Sequence, residues 1–177
     1  MPVQINELKV GGAAHGGSVS DIYLSVTTKR AGKIKGEATT EGHAGDITIH
    51  SMSWGVGANT AIGSSQATAR RQYKHLTVVK GIDSATTPLM SALVSNDEVK
   101  EAKLTMRKAG GDALDYFTMT LNNARVVSVD IDVGPDGDTI ERIGIAFTKI
   151  EIEYQPQQGL GIGSGSTTFS DEWTTQN

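Results

Sequence analysis

From Asp21 onward the chain alternates between apolar and polar positions. Ile22, Leu24 and Val26 share one face of Asp21–Thr27, the two-residue period of a half-buried strand. Residues 28–36, containing KRAGKIKG, read as a basic turn. Asp46–Trp54 reads as a second strand whose parity changes, with Ile47 and Ile49 on one face and Met52 and Trp54 on the other. A bulge produces such a switch, and so does a strand buried on both sides; the second case predicts a neighbouring subunit over one face. Gly55–Gln72, rich in Gly, Ala, Ser and Thr, reads as a long functional or mobile loop, and residues 73–80 as a strand. One helix is expected over residues 88–96. Pro88 suits its first position, Leu89, Ala92 and Leu93 share a face, and Asn96-Asp97 ends it.

The second half reads as almost continuous strand. Lys103–Arg107 leads into a turn at Ala109-Gly110-Gly111-Asp112. Phe117, Met119 and Leu121 alternate with polar residues, and the odd parity runs on through Val127, Val129, Ile131 and Val133. Pro135-Asp136-Gly137 is a turn. Ile143, Ile145 and Phe147 then occupy one face, and Ile150, Ile152 and Tyr154 the other, so a bulge or bend falls near Thr148. Bends of this kind let a sheet close into a barrel. The expected fold is mainly β: a compact antiparallel β-barrel or two-sheet sandwich with one short α-helix. Residues 1–20, punctuated by Gly11-Gly12 and Gly16-Gly17, read as an N-terminal arm, 21–157 as the barrel domain, and 158–177 as a tail in which Phe169 and Trp173 can anchor a final strand.

Composition narrows the function classes. A length of 177 residues fits one domain, and 21 glycines with only 5% aromatics suit strands and turns. A net charge of -4 opposes a nucleic-acid role, because phosphate contacts call for a basic excess. The lack of cysteine excludes disulfides, thiol catalysis and thiolate metal sites. Residues 1–20 lack the basic start and apolar run of a Sec signal, and no stretch has the length of a membrane helix. Export by a route that reads no N-terminal signal is therefore expected, with no membrane insertion by the chain itself.

The search for chemistry returns no catalytic, cofactor or metal site. His15, His43, His50 and His75 lack zinc-site spacing. Asp130, Asp132, Asp136 and Asp138 invite a calcium reading, but Gly134 and Ile143 stand where an EF-hand loop needs oxygen ligands, so a solvated hairpin rim is the reading adopted. The glycine clusters fit neither a P-loop nor a dinucleotide fold. Glu151 and Glu153 project from a solvated strand face, which does not suit acid–base catalysis. Arg70, Arg71, Lys74 and His75 end the long loop, either as a solvated loop end or as a charged contact with an acidic neighbour.

Four short motifs occur in order: Ile34-Lys35-Gly36-Glu37, then Gly42-His43 before a strand ending in Ser53-Trp54-Gly55, then Arg107-Lys108-Ala109-Gly110-Gly111, then Tyr154-Gln155-Pro156-Gln157. Together they resemble the haemolysin-coregulated protein, Hcp, family of type VI secretion systems, over about Asp21 to Gln157. The resemblance implies a phage tail-tube-like barrel flanked by one helix. It implies a homo-hexameric ring that stacks into a hollow tube and is driven by a contractile sheath behind a spike and baseplate. Small effector cargo would travel in the lumen. The protein would wait in the bacterial cytoplasm and then be secreted or delivered into a target cell. Ser51 and Ser53 become lumen candidates, with a crowded sheet contact as their other reading. Asn59, Ser64, Ser65, Gln66, Arg70 and Arg71 become candidates for contacts between rings. A tail tube protein of a phage or phage-derived contractile particle is the alternative.

Overall fold

The computed structural model describes residues 20–59, 70–108, 113–156 and 165–173. Strand β1 (Ser20–Thr28) buries Leu24 and Val26 and pairs along its length with β8 (Val99–Lys108). Its other edge is shared by β2 (Gly32–Ile34) and β3 (Ile47–Ile49). β8 pairs with β9 (Asp115–Val133), which pairs with both β10 (Thr139–Ala146) and β11 (Lys149–Tyr154). β10 pairs with β7 (Leu76–Lys80), and β7 with β4 (Ser51–Ser53). Every pairing is antiparallel. Because β3 runs directly into β4, the circuit closes on β1 and forms a barrel around a core that includes Leu24, Leu76, Leu104, Leu121, Ile143 and Ile150.

The barrel turns its corners where strands change wall. At His50 the chain leaves β3 on one wall and enters β4 on the other. Ile47 and Ile49 are buried, and Met52 and Trp54 pack against the same core. The parity switch therefore needs no neighbouring subunit: both apolar patches face the chain's own interior. The bend expected near Thr148 is present, since β10 ends at Ala146 and β11 begins on the opposite wall at Lys149. The third corner lies within β9. Its 19 residues exceed the usual strand of about 5–6 because it serves both walls. Asn123 has a φ of 47°, a left-handed conformation that asparagine tolerates, and the inward-facing parity changes there. Leu121 faces inward before it, and Ala124 and Val126 after it. A slip in the ladder to β10 passes over Val127 and returns the odd residues to the inner face. The two irregularities cancel, so the sequence parity runs through unbroken although the strand has bent twice.

Three elements differ from the sequence expectation. The helix α1 spans Thr86–Val94, so Pro88 is its third residue, where the N–H it lacks still has no intrahelical acceptor. Asn96, at φ 53°, ends it, with the Asp97 N–H donating to the Ala92 carbonyl at 2.9 Å. The segment read as a long loop is strand at both flanks: β5 (Val56–Asn59) and β6 (Arg70–Tyr73) form a two-stranded ladder, and residues 60–69 lie outside the described residues. The strand expected over 73–80 is accordingly split, with Tyr73 ending β6 and Leu76 opening β7. In the C-terminal tail, where a final strand is expected, β12 (Thr167–Glu172) pairs with β11, and the Trp173 N–H donates to the Thr148 carbonyl at 2.9 Å.

A buried polar lock joins α1 to the barrel. Lys80 and Glu141 sit opposite each other in the β7–β10 ladder, and both side chains are fully buried. Lys80 Nζ lies 2.7 Å from Glu141 Oε2 and 2.7 Å from Asp83 Oδ1, and it donates to the Gly81 carbonyl at 2.9 Å. Thr86 Oγ1, in the first turn of α1, donates to the same Glu141 oxygen at 2.7 Å. Leu89 adds full apolar burial on the helix side, a contribution of about 1.5–3 kcal/mol.

Candidate assembly surface

The family-motif residues hold turns and ladder ends in place. Ser84, just before α1, donates its backbone N–H to Glu37 Oε1 at 3.1 Å and its hydroxyl to the Lys35 carbonyl at 3.0 Å. Gly36 lies so close to Asp46 that a Cβ would fall 2.3 Å from its carbonyl oxygen. Gly42, at φ 82°, directs the chain so that His43 enters the protein. The His43 ring bridges Asp46 at 3.0 Å and Asp115 at 3.2 Å and stacks on Tyr23 at 4.3 Å. Lys33 pairs with Asp46 and Arg107 with Asp115. Burial pushes the Asp115 carboxyl up, but hydrogen bonds from Arg107 and His43 prevail and hold it below the ordinary carboxylate range. Lys108 closes β8, its N–H reaching the Leu114 carbonyl at 3.4 Å. Tyr154 ends β11 half-exposed, the Gln155 N–H donates to the Tyr116 carbonyl at 2.8 Å, and Pro156 follows. Ala109, Gly110, Gly111 and Gln157 lie outside the described residues.

The surface candidates fall in two places. Ser51 and Ser53 are exposed on the outer face of β4, opposite half-buried Met52. Asn59 and Arg70 form a rung of the β5–β6 ladder; Ser64, Ser65 and Gln66 lie outside the described residues. Arg71 is exposed and pairs with Asp171, to which Tyr73 also donates its hydroxyl. The Tyr73 hydrogen bond first, and the Arg71 guanidinium with it, hold the Asp171 carboxyl below its ordinary range.

Two features escaped the sequence reading. A cleft of about 630 Å³ opens at the corner where Asn123 and Thr148 bend the barrel. Its aromatic wall is a cluster in which Tyr73 stacks on Trp173 at 4.1 Å and Phe147 meets both edge-on. Its rim carries Arg71, Lys74, His75 and Arg125. Tyr73, Phe147 and Trp173 are far apart in sequence and no local pattern joins them. The second feature is the end of the β9–β10 hairpin. Ile131 and Val133 share the face of Glu141 and Ile143, yet they are 41% and 66% exposed because the hairpin overruns the core. Asp130, Asp132, Asp136 and Asp138 are exposed around them.

A closed barrel with a side-chain-filled interior, motif residues spent on turns, and an apolar hairpin left uncovered is the architecture of a structural subunit. The family model described as type VI secretion system effector, Hcp, matches residues 23–154. Protein hcp1 of Pseudomonas aeruginosa is 31% identical over 151 residues, covering 82% of this chain and 89% of that protein. The fold is similar to that of the Hcp1 protein from an E. coli pathovar, with a TM-score of 0.73 at 22% identity, covering 86% of this chain and 99% of that one. Secreted protein Hcp3 from Pseudomonas aeruginosa aligns with a TM-score of 0.67 at 20% identity, covering 89% of this chain and 100% of that one. The chain belongs to the Hcp family and is a tube protein of a type VI secretion system.

Proposed function

We propose that six copies of this chain close into a ring and that rings stack into a hollow tube. A contractile sheath surrounds the tube and drives it behind a spike and baseplate. Small effectors ride in the lumen, beside Ser51 and Ser53. The segment containing Asn59, Ser64, Ser65, Gln66, Arg70 and Arg71 contacts the adjacent ring. The chain acts by assembly and catalyses nothing. It waits in the bacterial cytoplasm and leaves with the machine, into the medium or a target cell.

The observation that carries this reading is the overhanging hairpin. Ile131 and Val133 extend past the core as a strand face that the other described residues leave uncovered, and such a face calls for a partner. Family membership over residues 23–154 supports further copies of the chain as that partner. Native mass spectrometry tests the stoichiometry. The expected species has six times the 18.7 kDa chain mass, and a monomer persisting at high concentration overturns the reading. Deleting part of Asn59–Ala69 should leave rings intact and shorten stacked tubes; unchanged tube length refutes the assignment of that segment.

A further inference from the structure

We infer that the acidic turn of one copy's β9–β10 hairpin seats in the aromatic, basic cleft of the next copy around the ring. The inference rests on the ring reading above. It adds which two surfaces meet.

The two surfaces are opposite in charge and similar in construction. Between Val126 and Glu141 the chain has four aspartates and no Lys, Arg or His. Arg142 pairs with Asp132, which among the described residues leaves Asp130, Asp136 and Asp138 without a cation. On the cleft side Arg71 is taken up by Asp171, and Arg125 donates to the Asn96 carbonyl at 2.7 Å. Among the described residues the side chains of Lys74 and His75 have no hydrogen-bond or ion-pair partner. Both surfaces also join charge to apolar area: Ile131 and Val133 on the hairpin, Tyr73, Phe147 and Trp173 in the cleft. A basic rim around an aromatic wall suits an acidic, partly apolar insert.

The insert cannot be the cleft's own hairpin. Val127 lines the cleft and Gly134 begins the turn, and β9 is continuous between them through Val133. Seven residues of strand span about 23 Å, so the turn is held well away from its own cleft. A tip and a cleft on different parts of one chain make a heterologous, head-to-tail contact. That is the contact type from which rings close.

Charge exchange tests the pairing. Asp130→Lys/Asp138→Lys alters the tip, and Lys74→Glu/Arg125→Glu alters the cleft. All four side chains are exposed, so far-ultraviolet circular dichroism and the melting temperature should be retained and confirm folding. Each double variant alone should reduce the ring fraction, read by sedimentation velocity, at least about tenfold at fixed concentration. Mixing the two variants should also recover rings, because in an alternating ring each basic tip meets an acidic cleft and each acidic tip meets a basic one. Combining all four substitutions in one chain restores complementarity at every junction and should recover rings. Wild-type rings should also loosen as salt screens the contact. Rings that survive either double variant overturn the pairing while leaving the tube reading intact. Single rings that merely fail to stack also overturn it, since they place the contact between rings. Failure of the fourfold variant to recover rings counts against it too. A wild-type chain that forms no rings sinks the underlying tube reading instead.

Discussion

Replacing Lys80 with methionine removes one charge from the lock between α1 and the barrel. The Lys80 and Glu141 side chains have no solvent exposure, and Lys80 Nζ supplies the cation 2.7 Å from the Glu141 carboxylate. Without it, among the described residues that carboxylate keeps the Thr86 hydroxyl at 2.7 Å alone, and its other oxygen is buried without a hydrogen-bond partner. Stranding a buried charge in this way costs about 3–5 kcal/mol. For a domain of this size each kcal/mol shifts the midpoint by about 2–4 °C, so the variant should melt about 6–20 °C lower. Removing both charges, as Lys80→Met/Glu141→Leu, strands no fully buried ion, since the Asp83 carboxylate that also loses Lys80 is partly exposed and still accepts from the Ala85 N–H, and should return stability to within about 1–2 kcal/mol of the wild type. The assay is thermal denaturation followed by circular dichroism at one fixed protein concentration, because assembly adds its own stabilisation. A single variant that melts within about 2 °C of the wild type refutes the buried-lock account. So does a double variant as unstable as the single.

Other substitutions probe separate parts of the structure. Gly36→Ala places a Cβ 2.3 Å from the Asp46 carbonyl oxygen and should cost about 3 kcal/mol or more in urea denaturation; a neutral result contradicts that close approach. Asn123→Val forces a β-branched residue to φ 47° and should cost about 1–3 kcal/mol, whereas Asn123→Gly should be tolerated in the same assay. The Asp115 carboxyl is held low by Arg107 and His43, so the stability it contributes is present above about pH 4, the unfolded value, and is lost as pH falls through the folded one. Melting curves should therefore drop on acidification, and Asp115→Asn should flatten that acid limb; identical limbs would exclude the contribution. Tyr73→Phe removes a hydroxyl that holds Asp171, and hydrogen exchange in Thr167–Trp173 should quicken while the core strands stay protected.

Much of the fold was legible because strand parity records which side of a sheet a residue faces. The switch at Thr148 was readable as a bend and is one. Parity does not record which sheet is involved. The switch between Ile49 and Met52 therefore pointed to a neighbouring subunit, when the strand simply passes from one wall to the other at His50. The corner at Asn123 left no trace, since the slip over Val127 restores the original parity. Lys80 and Glu141 do leave a signal in the sequence. Lys80 continues the apolar parity of Leu76 and Val78, and Glu141 that of Ile143 and Ile145; opposite charges at such positions mark a buried pair. The four motifs pointed to the family, but their residues work locally, in the Ser84 contacts of Lys35 and Glu37 and the two aspartates around His43. The aromatic cleft was invisible because Tyr73, Phe147 and Trp173 meet only once the barrel has closed.

The central claim is that this barrel is built to assemble. Electron microscopy of the purified full chain in negative stain tests it most directly. Class averages showing six-fold rings with an open central channel are the predicted result. A homogeneous field of single barrels at high protein concentration would contradict it.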